Sequence, residues 1–201
     1  MARPIDHRKR AELLAGVVAY IAAHGLAELS LRPLAAALGT SSRMLIYYFE
    51  TKEELLVQAL ATQRPDLAAV FADVTEPAQL RARLTGFFDL NSEGAEADSV
   101  RVLLQVLGAA CAPDSPYQDY ANAAIATFVT ELAAALRRTG LAADPEVVAT
   151  LLVSGLRGIL QDRVITGDRE RTGRAARVLI DAVLPEPVRR ASPSPGDDCS
   201  A

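Results

Sequence analysis

A glycine set between two short apolar-patterned runs constrains this chain more than any other feature. Within SLRPLAAALGTSSRMLIYYFETKEEL, residues 30–55, Ser30 stands ahead of Leu31, Leu34, Ala35 and Leu38. That spacing of three and four predicts a short amphipathic helix with Ser30 as its cap. Gly39 can take a positive φ at little steric cost, so the helix should end there and the chain turn through Gly39-Thr40-Ser41. Ser42 to Phe49 then predicts a second short helix, polar at its beginning and apolar at its end. Thr51-Lys52-Glu53-Glu54 has the form of a capping box before Leu55 and Leu56, so a third helix should begin near Lys52.

Helix, glycine turn, helix is the helix-turn-helix plan, in which the second helix enters the major groove and its first residues meet base edges. The plan alone is shared with helical proteins that bind no nucleic acid. Charge distribution adds to it. Residues 1–52 hold seven Lys or Arg against four acids, a net +3, which leaves −7 for the rest of a chain whose net charge is −4. A cationic head on an acidic body suits a protein that meets phosphate with one end. Arg43, at the start of the second helix, can bond guanine O6 and N7 in bidentate fashion. Thr40, Ser41 and Ser42 can bond phosphates or bases, and Met44 can touch a thymine methyl. Met44 and Tyr47 also suit packing into a three-helix core.

The remaining pattern is helical throughout. Leu14, Val17, Val18 and Ile21 form a stripe from about residue 7 to Gly25, and Arg3, Arg8, Lys9 and Arg10 at its start are candidates for flanking phosphates. The helix from Lys52 should end or bend at Pro65. Thr75-Glu76-Pro77 opens the next long helix, residues 91–96 read as loop, and about 97–112 reads as a mostly buried helix with Cys111 in the core. Ser115-Pro116-Tyr117-Gln118 predicts an N-cap, a proline at the first helical position and a capping Gln. Asp144-Pro145 and Asp168 open the last two helices. Gly155 and Gly158 inside the first of these each cost about 1 kcal/mol against alanine, which close approach of another helix would explain.

The fold class expected is all-α, with about nine helices. Residues 1–52 form a three-helix head with the helix-turn-helix, 53–184 a helical body, and 185–201, rich in Pro and Ser, a disordered tail. Two cysteines without pairing or metal spacing fit a reducing compartment. No run reaches the roughly 18 apolar residues of a membrane span, so a cytoplasmic location is expected. Two histidines, no glycine-rich phosphate loop, no Gly-x-Ser-x-Gly and no metal-ligand cluster leave no nucleophile with a base, so no enzyme, cofactor or metal is expected.

The head resembles the DNA-binding domain of the tetracycline-repressor (TetR) family. Leu34, Ala35 and Leu38-Gly39 match the family's first helix and turn, and Tyr47, Phe49, Lys52, Glu53, Glu54 and Leu55 match its aromatic-Phe-x-x-Lys-Glu-x-Leu ending. Ile46 replaces the usual Tyr and Tyr48 the usual His, both of which touch phosphate in the family, so Tyr47 and Tyr48 are the substitutes here. By the family pattern, Arg32 and Lys52 clamp phosphates at the starts of the helices flanking the recognition helix. The resemblance implies a homodimer on a palindromic double-stranded operator, most simply a repressor, formed by pairing the last two helices. Leu152, Gly155, Leu156, Gly158, Ile159, Val178, Leu179 and Ala182 are the candidates for that interface. It also implies a small-molecule effector held within each body, for which Phe87, Phe88, Leu104, Leu107, Tyr117, Tyr120 and Phe128 are the candidate lining. Few charges intrude on these helices, which favours an apolar effector with one or two polar groups. The alternative is a helical ligand- or protein-binding module with a degenerate helix-turn-helix.

Overall fold

In the computed structural model, which describes residues 6–27 and 29–185, the polypeptide forms ten α-helices and, among the described residues, no strand. They are α1 His7–His24, α2 Leu31–Ala37, α3 Ser42–Phe49, α4 Lys52–Ala61, α5 Leu67–Phe71, α6 Pro77–Leu90, α7 Gly94–Ala110, α8 Gln118–Thr139, α9 Pro145–Thr166 and α10 Arg169–Val183. The short α5, capped by Asp66, takes the number above the nine expected. Arg3 and the tail from residue 186, including Cys199, lie outside the described residues.

The head is built as its pattern requires. Asp6 accepts the Lys9 backbone N–H at 3.0 Å to cap α1, whose Leu13, Leu14, Val17, Val18 and Ile21 are buried. α2 ends in a Schellman arrangement: Gly39 has φ +62°, Thr40 N–H donates to the Ala35 carbonyl at 2.9 Å, and Gly39 N–H donates to that of Ala36 at 3.2 Å. Ser30 takes the N-cap position of α2, but its side chain makes no capping hydrogen bond. Ser41 caps α3 through the Met44 N–H, and Thr51 caps α4 through that of Glu54.

Between α3 and α4 the chain reverses at one residue. Glu50 has φ +65° and ψ −55°, and Thr51 N–H donates to the Phe49 carbonyl at 2.7 Å. This is the strained γ-turn that non-glycine residues avoid. Glu50→Gly is expected to stabilise the protein by about 1 kcal/mol, because the relieved strain exceeds the added freedom of the unfolded chain. Thermal melts followed by circular dichroism should rise by about 2–4 °C, and an unchanged or lower melt would show the turn to be unstrained.

Two hydrophobic cores divide the molecule. The first gathers α1–α4 together with Val102 and Val106 of α7, Tyr117 and Tyr120. The second gathers α5, α6, α8, α9 and α10 around Phe71, Leu80, Leu84, Phe88, Leu132, Leu136, Leu152 and Ile180. Head and body are also joined where Leu26 N–H donates to Gln105 Oε1 at 2.7 Å. The expected boundary at residue 52 is the start of α4, yet the head's core continues through α4 and onto α7.

Three local expectations are corrected. α7 starts at Gly94, because Asn91 Nδ2 bonds the Phe87 carbonyl and closes α6, so the loop is shorter than 91–96. Ser115 does not cap α8. It holds a preceding turn, accepting Tyr117 N–H on its hydroxyl and Gln118 N–H on its carbonyl, and Tyr117 stands at the N-cap. Cys111 is exposed at the end of α7, where the helix has already run out of the core.

α9 and α10 pack closely on each other. A Cβ on Gly155 would lie 2.5 Å from Leu179 Cδ2, which is the close approach that its helical cost implied. At their corner Arg171 bonds both oxygens of Asp162 at 2.7 Å. That bond holds the Asp162 carboxyl below its ordinary value.

Candidate nucleic-acid interface and internal cavity

α3 is anchored by one face and presents the other. Leu45 and Phe49 are fully buried, while Arg43, Met44, Ile46 and Tyr47 are exposed, Tyr47 to 48%. Met44 and Tyr47 therefore do not belong to the three-helix core. Tyr48 turns partly inward and packs against that core, with its ring 5.5 Å from Tyr47 and 6.0 Å from Phe49. Of the two tyrosines, it is Tyr47 that stands on the outward face. Ser41 is exposed with its hydroxyl engaged in the cap, and Thr40 and Ser42 are half-buried. Arg32 is exposed on α2. Lys52 opens α4 with its Nζ 3.7 Å from Glu53 Oε1.

The α1 cations divide. Arg8 and Lys9 both pair with Glu12, at 3.2 and 3.6 Å, and remain at the surface. Arg10 bonds Gln58 Oε1 and lies 5.4 Å over the Phe49 ring, so it clamps α1 to α4 and α3 rather than reaching outward. Ile46 was not among the expected contact residues. Its position three residues after Arg43 places it on the exposed side of the helix, a signal present in the spacing.

A cavity of about 180 Å³ opens within the body. Phe87, Phe88, Leu104, Leu107, Tyr120 and Phe128 line it together with Leu84, Leu103, Leu132, Val153, Leu156 and Leu160. Tyr117 does not line it. It is buried in the head-side core, where burial first and the Glu53 carboxylate second raise its hydroxyl above the ordinary value. The polar lining is Gln63, Arg64, Asn91, Ser99, Thr127 and Arg157, none of them expected. For Arg157 the signal was present: it stands among Val153, Leu156 and Leu160, a charge inside an apolar stripe.

The eight candidates on α9 and α10 fall into two groups. Leu152 and Leu156 are buried in the subunit's own core, Ile159 and Leu179 pack partly against it, and Gly155 lies beneath Leu179, so Leu152 and Leu156 are not available to a partner. Val178, 66% exposed, and Ala182 face outward, and a Cβ on Gly158 would meet nothing within 4 Å. Val147, Leu151 and Ile165 of α9 are likewise exposed, by 53%, 54% and 73%. Their spacing of four and then seven with Gly158 carried the information, but α9 is apolar on both sides and the pattern alone did not separate them. Among the described residues there is no cluster of metal-ligating side chains and no helix long and apolar enough to cross a membrane.

Residues 13–59, covering α1 to most of α4, match the family model described as bacterial regulatory proteins, tetR family. The head therefore carries the N-terminal domain of the tetR family. Solved structures extend the likeness in fold over most of the chain. A transcriptional regulator from Rhodococcus sp. Rha1 is 24% identical, with 87% of this chain and 95% of that one covered and a TM-score of 0.74. The SmeT–triclosan complex is 21% identical over 89% of this chain and 90% of the other, TM-score 0.72; SmeT is the repressor of a Stenotrophomonas maltophilia multidrug efflux pump. A regulator from Saccharomonospora viridis in complex with choline is 22% identical over 88% and 95%, TM-score 0.70. At these identities the structures speak for the fold alone. No curated protein matches the sequence significantly. The TetR family is one of DNA-binding transcription regulators rather than enzymes.

Proposed function

We propose that this protein is a cytoplasmic TetR-family repressor that binds a palindromic operator as a homodimer and releases it when a small, largely apolar molecule fills the body cavity. The observation that carries this reading is the split of α3, with Leu45 and Phe49 locked into the core and Arg43, Met44, Ile46 and Tyr47 turned outward. A helix so anchored can enter a major groove with Arg43 leading. The exposed Val147, Leu151, Ile165 and Val178 form an apolar face of the kind that pairs two copies about a two-fold axis. Two recognition helices then meet successive half-sites about 34 Å apart.

α4 supplies the connection between the sites. It starts at the turn that follows α3, and Leu60, Gln63 and Arg64, at its end and just beyond, line the cavity. A ligand that displaces these residues changes the setting of α3, which is the differential contact that coupling of two sites requires. Triclosan and choline in the structures of similar fold support a body that accepts small molecules.

Fluorescence anisotropy against tiled fragments around the protein's own gene tests the reading. One fragment should bind tightly, with affinity falling steeply as salt rises. Arg43→Ala should weaken that fragment about 10- to 100-fold, the worth of a bidentate guanine contact, while weak non-specific binding stays. Equal binding of all fragments by both proteins would favour the degenerate-head alternative.

A further inference from the structure

Resting on the reading of the body cavity as an effector site, the polar lining narrows the chemistry of its occupant. We infer that the cavity takes an amphipathic carboxylate, an apolar chain or ring ending in one anionic group, with Arg157 and Arg64 as its counter-charges.

The lining contains two guanidinium side chains and no Asp or Glu. Among the described residues, neither arginine has a carboxylate within 4 Å. The Arg64 Nη2 donates to the Tyr120 carbonyl at 3.2 Å, and its Cζ lies 4.4 Å over the Tyr120 ring. The Arg157 Nη2 meets the Ser154 hydroxyl at 3.4 Å. These partners are neutral; Arg157 is half-buried against the apolar wall, whereas Arg64 is exposed at the rim. Arg83, Arg169 and Arg171 of the body are paired with acids, while Arg138 and Arg163 bond carbonyls and a hydroxyl away from the cavity lining. A cationic guest would meet two like charges there and no carboxylate. A neutral guest would leave both guanidinium groups with only the partners they already have. A carboxylate would gain charge-assisted bonds, at Arg157 in a setting less screened than water. The rest of the wall, from Leu84 and Leu103 to Leu132 and Leu160, asks for hydrocarbon. An apolar cavity of about 150 Å³ already accepts a benzene ring, and this one, at about 180 Å³, has room for a ring or a medium-length chain.

The experiment uses the full-length protein and two matched sets of probes: octanoate, octan-1-ol and octylamine, and 4-ethylbenzoate, 4-ethylbenzyl alcohol and 4-ethylbenzylamine. Binding is read by calorimetry and by thermal shift. At least one carboxylate should bind about tenfold or more tighter than its alcohol, and its amine should bind most weakly. Arg157→Gln should remove most of that carboxylate's advantage over the alcohol, the remainder being due to Arg64. Arg157→Lys should restore much of the difference, an outcome that a purely structural arginine would not produce. Arg64→Gln is the second variant, with circular dichroism reporting whether loss of the Tyr120 contact alters the fold. Alcohols or amines binding as well as the carboxylates, or no carboxylate binding at all, would overturn the inference. Operator release is measured separately. If a neutral compound releases DNA while no carboxylate binds, the regulator reading stands and only the ligand class falls. If carboxylates bind but no operator exists, the reverse holds.

Discussion

Phe49→Ala should destabilise the protein by about 3–5 kcal/mol and abolish specific DNA binding. Phe49 is 1% exposed and takes part in a core built by four helices and α7, so its removal leaves a cavity that backbone shifts only partly fill. It also removes the ring beneath the Arg10 guanidinium, 5.4 Å away, and with it one side of the clamp joining α1 to α3. The loss is a large share of the 5–15 kcal/mol by which domains of this kind are stable. Urea unfolding followed by circular dichroism gives the value. A loss under 1 kcal/mol would mean that the head's core repacks without this ring, contrary to the anchoring of α3 described above.

The second large effect concerns assembly. Leu151→Glu combined with Val178→Glu should convert the proposed dimer to a monomer and weaken operator binding about 10²- to 10⁴-fold, the range lost when a linked second site is removed. Across a two-fold axis each substitution occurs twice, so four carboxylates would enter one apolar contact. Both positions are more than half exposed in the single chain, so the fold of each subunit should survive. Light scattering after gel filtration gives the mass, and anisotropy gives the affinity. A double variant that stays dimeric with its affinity intact would assign the pairing to another face.

Much of this architecture was legible in the sequence because local rules agree along most of it. Gly39 ends α2 as its left-handed conformation requires, and Asp144 and Asp168 cap the helices they precede. Agreement weakens where a residue's role depends on what lies across from it. Leu152 and Leu151 are adjacent and alike, and only the position of α8 and α10 decides that one is core and the other surface. Tyr47 and Tyr48 present the same difficulty one hundred degrees apart on α3. Cys111 was read inward by its apolar neighbours, whereas α7 ends before its side chain reaches cover. Arg157 was missed because charge in a helix is usually solvated, and nothing local to Arg64, beyond the end of α4, reveals that its chain folds back against Tyr120.

The two valines that α7 lends to the head carry a practical consequence for building hybrid regulators. A block of residues 1–52 moved onto another body would arrive without Leu55, Leu56, Ala59 and Leu60 of α4 and without Val102 and Val106, all of which are buried against it here. Its hydrophobic surface would then meet side chains selected for a different head. Retargeting by exchange of Arg43, Met44 and Ile46 leaves the core residues Leu45 and Phe49 in place, so the address can be rewritten on the outside of one helix while the joint between reader and sensor stays whole.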